Sequence, residues 1–174
     1  MKTDIISIDN RGNGFQDALE QTVKAAQFRD LDHKEELRLR LCTEEMLSLA
    51  RSVTGELQAK FWLESEGRKF ELHLTTKTVM DKEKRSNLIA SATSRKNEAA
   101  STFLGKLRDA FEAAMLSEAD NSIPDDAMAD LANHPIEIPK WDEYEQSILR
   151  NAADNVKISI CGGVVDMTVS KSFE

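Results

Sequence analysis

Few side chains in this chain are typed and spaced for chemistry. His33, His73 and His134 share no metal-ligand spacing with one another or with Cys42 and Cys161, so the zinc patterns of Cys and His pairs are not matched. No Gly-x-Ser-x-Gly elbow is present to expose a nucleophilic serine. Cys42 lies in an apolar stripe without a basic neighbour to stabilise a thiolate, which makes it a core residue rather than a nucleophile. Gly12-Asn13-Gly14 is too short for a dinucleotide fingerprint and reads as a turn. Phe103-Leu104-Gly105-Lys106 lacks the upstream glycine of a phosphate-binding loop. The acids Glu44 and Glu45, with Ser48 a turn further on, remain as polar groups beside the apolar stripe of one helix.

The elements that must carry these residues can be read from periodicity. Residues 4–9 are strand-like, though short, and Arg11-Gly12-Asn13-Gly14 turns the chain. Phe15, Leu19, Val23 and Ala26 recur at helical spacing. Asp30 or Asp32 can cap a second helix over roughly 33–53, closed by Gly55. That helix has one stripe of Leu39, Cys42, Met46, Leu49, Ala50 and Val53, with Leu37 and Leu41 almost opposite. Apolar residues on two sides predict cover from the sheet and from another helix. Ala59, Phe61 and Leu63, then Phe70, Leu72 and Leu74, alternate with polar residues about a loop at Ser65-Glu66-Gly67-Arg68. This predicts a hairpin with one buried face. Trp62 is then the one large aromatic on the polar face, as a contact surface or as a side chain packed under a loop.

A weak helix is expected over 81–93 and a strong one over 98–116, the latter burying Ala99, Phe103, Leu107, Ala110, Phe111 and Ala114. The pattern fades over 117–140, an acidic stretch holding all three prolines and read as a variable insert. A short helix over 141–153 points Tyr144, Ile148 and Ala152 inward. Val156, Ile158 and Ile160, a Gly162-Gly163 turn, and Val165, Met167 and Val169 form a closing hairpin.

At 174 residues, 40% hydrophobic and 31% charged, the chain suits one globular domain over 1–174. The net charge of −8 argues against general nucleic-acid binding. Lys77, Lys82, Lys84, Arg85, Arg95 and Lys96 form a local basic run, read as a solvated helical face because Asp81 and Glu83 interleave with it. No apolar run approaches the ~20 residues of a membrane-spanning helix, and no signal core follows Met1. A cytoplasmic protein with reduced, buried thiols is expected.

The order strand, two helices, hairpin, helical segment, hairpin resembles the histidine-kinase-like (GHKL, Bergerat) ATPase fold, in the small form of the bacterial anti-sigma regulatory serine kinases. The resemblance spans roughly 5–115 and 156–173. It implies an α+β two-layer sandwich with helices on one face of an antiparallel or mixed sheet. In the family, the second helix carries Glu-x-x-x-Asn-Ala, whose Glu activates water or a hydroxyl and whose Asn holds magnesium. Here Glu45-Met46-Leu47-Ser48-Leu49-Ala50 is similar, with Leu49 in the Asn place. A leucine offers magnesium no oxygen. The register Glu44 with Ser48 restores a weak one.

The Asp-x-Gly-x-Gly motif expected after the 70–76 strand is replaced by Thr75-Thr76-Lys77-Thr78-Val79-Met80-Asp81, and only Gly105 stands for the glycine-rich lid. The resemblance therefore implies a non-catalytic regulatory protein on a degenerate scaffold, binding a sigma factor or an anti-anti-sigma-like protein. The alternative is an ATP- and magnesium-binding serine kinase with a rewired pocket. In that case Glu45 is the base, Ser48 a magnesium contact, and Thr76 and Gly105 line the nucleotide.

Overall fold

The computed structural model describes residues 1–9, 11–54, 58–120 and 148–174. Its elements run β1 (Ile6–Asp9), α1 (Phe15–Phe28), α2 (His33–Thr54), β2 (Gln58–Glu66), β3 (Lys69–Lys77), α3 (Lys82–Ser91), a 3-10 turn (Glu98–Ala100), α4 (Phe103–Asp120), β4 (Asn155–Cys161) and β5 (Val164–Ser172). Residues 148–152 are also helical. The fold is α+β. One open five-stranded sheet, in the order β1-β2-β3-β5-β4, pairs antiparallel throughout.

Alternation along the strands sets the two layers. Phe61, Leu63, Phe70, Leu72, Leu74, Ile158, Val165, Met167 and Val169 point to one face and are buried, together with Leu39, Met46, Leu47, Leu88 and Leu149 from the helices. The opposite face carries Lys60, Trp62, Glu71, His73, Thr75, Asp166 and Thr168. Each fully buried aliphatic side chain contributes about 2 kcal/mol, so the central strands β3 and β5 hold much of the stability.

Both hairpins form. The first turns more tightly than the sequence predicts, because Glu66 pairs with Lys69 and only Gly67 and Arg68 remain in the loop. Cross-strand pairing recruits every residue that can extend the ladder. The second turns at Gly162 and Gly163, both at positive φ, as a two-residue turn matching the strand twist requires.

Helix α2 opens on a reciprocal cap: the Asp32 carboxylate accepts from Glu35 N, and the Glu35 carboxylate accepts from Asp32 N, both at 2.9 Å. It is covered on two sides, as expected, but by different residues. Leu37 is exposed, and the second buried side is Thr43 and Leu47. Thr43 Oγ1 meets Thr22 Oγ1 of α1 at 3.0 Å. The threonine hydroxyl breaks the apolar pattern in the sequence, yet both hydroxyls are satisfied between the helices by Leu39 and Ala18 carbonyls. Gly55, the 121–140 part of the insert, Trp141 and Tyr144 lie outside the described residues. Of the last short helix, Leu149 is the residue buried in the core, with Ile148 and Ala152 half-buried.

The two sheet edges are protected differently. On the β1 side, Met1 and Thr3 continue the pairing with β2: Thr3 N donates to Leu63 O at 2.9 Å and Ser65 N to Met1 O at 2.8 Å. On the β4 side, Thr93 N donates to Val156 O at 2.8 Å and Val156 N donates to Thr93 Oγ1 at 2.8 Å. Asn97 does the same at Ile160, accepting its N–H at 2.8 Å and donating to its carbonyl at 2.9 Å. Among the described residues no helix is long and apolar enough to cross a membrane.

Candidate functional site

The residues that would serve a nucleotide sit as follows. On α2, Glu45 and Ser48 are half-buried and Leu49 is buried in the core, 5% exposed. Glu44 is paired with Arg40 at 3.0 Å, a local i, i+4 contact of helix faces. Thr76 is buried at the end of β3, where its hydroxyl donates to the Gln58 carbonyl at 3.0 Å. Met80 packs against the core. Thr76 borders a wide recess at the sheet end, whereas Gly105 lines a separate cavity of about 240 Å³ beside α4. Neither recess is lined by Glu45 or Ser48.

The wide recess, about 1100 Å³, is bordered among the described residues by Arg11, Lys60, Lys77 and Lys84 and by the carboxylate of Asp9. Lys84 is committed in part to Asp81 and the Val79 carbonyl. On the same open face of the sheet, Trp62 stacks on His73 with ring centroids 4.9 Å apart and planes 9° from parallel. The indole N–H of Trp62 donates to Glu64 at 3.1 Å, and Lys2 lies 5.3 Å over the ring. Burial lowers the His73 pKa below its ordinary value, against the opposing pull of Glu64 and Glu71. Trp62 is thus held on the polar face by His73, Glu64 and Lys2.

The third site is a polar node between α3, the 3-10 turn, α4 and β4. Arg85 is buried, not solvated as the basic run suggests. Its guanidinium pairs with Asp109, which also accepts from the Asn97 side-chain amide. Asn97 in turn holds the β4 edge and accepts from Ala99 N at 3.1 Å. Asn97 stands where the sequence only breaks a helix, and Arg85 where it shows one more surface cation. Neither carries a local signal, because the partners lie 12 and 24 positions away.

This node turns α4 over. The face of α4 that meets the domain is Gly105, Arg108, Asp109 and Glu112, around the small cavity with Ile160 and Cys161. Gly105 is required there: a Cβ would overlap the Ala99 carbonyl, where α4 crosses the 3-10 turn. Arg108 pairs with Glu112 at 2.8 Å, and Glu112 also accepts from Gly162 N at 3.3 Å. A solvent-facing side of the same helix presents Leu107, Phe111 and Met115, which are 62%, 65% and 57% exposed. The sequence predicts the reverse. Helical periodicity identifies an apolar stripe but not its direction. Here the ion pairs and the glycine contact orient the helix.

No protein-family model matches the chain, and no curated protein matches its sequence. Among the described residues, no group of three His, Cys, Asp or Glu side chains is placed to hold a metal ion.

Proposed function

We propose that the chain is a non-catalytic regulatory protein that acts by binding another protein, on a degenerate scaffold of the histidine-kinase-like ATPase type. The partner class is a sigma factor or an anti-anti-sigma-like protein. The observation that carries the reading is the reversed α4, whose polar face is anchored while Leu107, Phe111 and Met115 face outward. An exposed apolar row of this kind forgoes about 1–2 kcal/mol of burial per side chain, which a partner can recover. Two further features agree with it. The element order, β1-α1-α2-β2-β3-α3-α4-β4-β5, keeps the succession of strand, two helices, hairpin, helical segment and hairpin on which the resemblance rests. Leu49, in the place of the magnesium-binding asparagine, belongs to the core cluster.

The test is isothermal titration with ATP, with and without magnesium, beside titration with purified sigma factors. Saturable binding of a sigma factor, with no heat from ATP, is the expected result. Saturable ATP binding that weakens in Glu45→Ala would overturn it in favour of the serine-kinase alternative. Absence of binding to any sigma factor or anti-anti-sigma protein would remove the partner class.

A further inference from the structure

We infer that the wide recess at the end of the sheet is a second docking site, for an extended acidic segment of a protein partner. The inference shares with the proposed function only the premise that the partner is a protein, and it does not use the α4 row.

Folding gathers the cations of this recess from separate elements. Arg11 follows β1, Lys60 lies on β2, Lys77 ends β3 and Lys84 lies on α3. Of the basic run in the sequence, Lys77 and Lys84 come to the recess, whereas Arg85 turns inward to Asp109. Lys60 and Lys77 are the decisive pair. Both are exposed, and among the described residues neither is in an ion pair. The nearby carboxylates are held by uncharged donors of the protein instead. Asp9 accepts from Arg11 N at 2.8 Å and from the Asn13 side-chain amide at 2.7 Å. Asp166 accepts from the Thr75 hydroxyl at 2.7 Å. The two ammonium groups are left to an outside anion.

Strand register sets the spacing of that anion's charges. Lys60 pairs with Thr75, and Lys77 stands two positions further along β3 on the same face. Diagonal neighbours of this kind lie about 7–8 Å apart. An extended chain rises about 3.3 Å per residue and turns alternate side chains to one side, so acids at i and i+2 stand about 7 Å apart. One extended segment with alternating acids therefore meets both lysines. The lining comes from β1, β2, β3 and β5, which are successive neighbours in the sheet. At about 4.8 Å per strand spacing these extend over about 14 Å, room for about four or five extended residues. Val79, 85% exposed at the border, adds an apolar contact beside the charges.

The lining also separates a peptide from other polyanions. Phosphate sites concentrate backbone N–H groups on one point. Here Thr78 N donates to Gly163 O at 2.9 Å and Gly162 N to Glu112 at 3.3 Å. Among the described residues no aromatic side chain lines the recess, so it holds no platform for stacked bases.

The experiment is fluorescence anisotropy of a labelled peptide of about ten residues, alternating glutamate and serine, titrated with the full chain at low ionic strength. The expected result is saturable binding that weakens at least about tenfold in the double variant Lys60→Gln with Lys77→Gln, with circular dichroism unchanged. Lys24→Gln with Lys69→Gln removes two exposed cations outside the recess and should change the affinity less than about twofold. Phe111→Ala should leave it unchanged. Tripolyphosphate and a single-stranded oligonucleotide serve as competitors.

Absence of saturable binding would overturn the inference. Equal losses in the two double variants would also overturn it, since they would reduce the effect to net charge. Tighter binding of tripolyphosphate or the oligonucleotide, lost on replacing Lys60 and Lys77, would overturn the peptide as occupant. None of these outcomes decides the sigma-factor reading, which is tested by partner binding itself.

Discussion

At the scale of single residues, burial decides which groups react. Cys42 is sealed between α2 and the sheet, and its burial pushes the thiol up to about 11. Cys161, at the end of β4, is half-buried. A thiol reagent at pH 8 should therefore modify one cysteine per folded chain, at Cys161, and a second only after denaturant. Mass spectrometry of the modified peptides checks the order, and early labelling of Cys42 would contradict the packing described. His73 provides a second test. Its folded pKa lies below the ordinary 6.5, first because of burial, while Glu64 and Glu71 raise it and Lys2 lowers it. The neutral imidazole is thus preferred in the folded state. Its contribution to stability is present above 6.5 and is lost as pH falls from 6.5 through the folded value. Urea titrations should show stability falling with acidification in that window, and a smaller slope in His73→Gln.

Elements behave by what orients them. Replacing a helical glycine by alanine ordinarily stabilises by about 1 kcal/mol. At Gly105 the sign should reverse, because the new Cβ meets the Ala99 carbonyl; a net loss of about 1–3 kcal/mol in urea unfolding is expected for Gly105→Ala. Asp109→Ala should cost about 3 kcal/mol, since it leaves the buried Arg85 guanidinium without its carboxylate. Adding Arg85→Met should recover most of that loss. A double-mutant cycle measures the coupling, and additive losses would mean that the pair does not anchor α4. Capping was clearer from sequence than orientation was. Asp32 is one of the two acids, with Asp30, that the sequence offers as the cap, and its reciprocal partner Glu35 lies only three positions away. The direction of α4 rests on Asp109, Arg85 and Asn97, which come from three different elements.

For the whole molecule, the two layers predict two grades of apolar residue. Leu72 is fully buried at the centre of the sheet and Phe111 is mostly exposed. Leu72→Ala should cost about 3 kcal/mol. Phe111→Ala should change monomer stability by no more than about 0.5 kcal/mol, although phenylalanine is the larger side chain. Chemical denaturation at dilute concentration compares them. Equal losses would mean that Phe111 belongs to the monomer's core. The same division separates the sheet's two faces, since Trp62 and His73 stack on the polar side without entering the core.

Strand alternation, the hairpins, the main helices and the α+β class followed from the sequence alone. Each depends on residues two to four positions apart, and those distances survive in any fold. The core of β2, β3, β4 and β5 was legible for that reason. Tertiary structure decided what periodicity leaves open: that Arg85 is inside, that Asn97 completes the β4 edge, and that α4 turns its apolar row to solvent. The physical reason is that a stripe on a helix has an angle but no outside. Only the buried charge pair and the close backbone contact at Gly105 assign one.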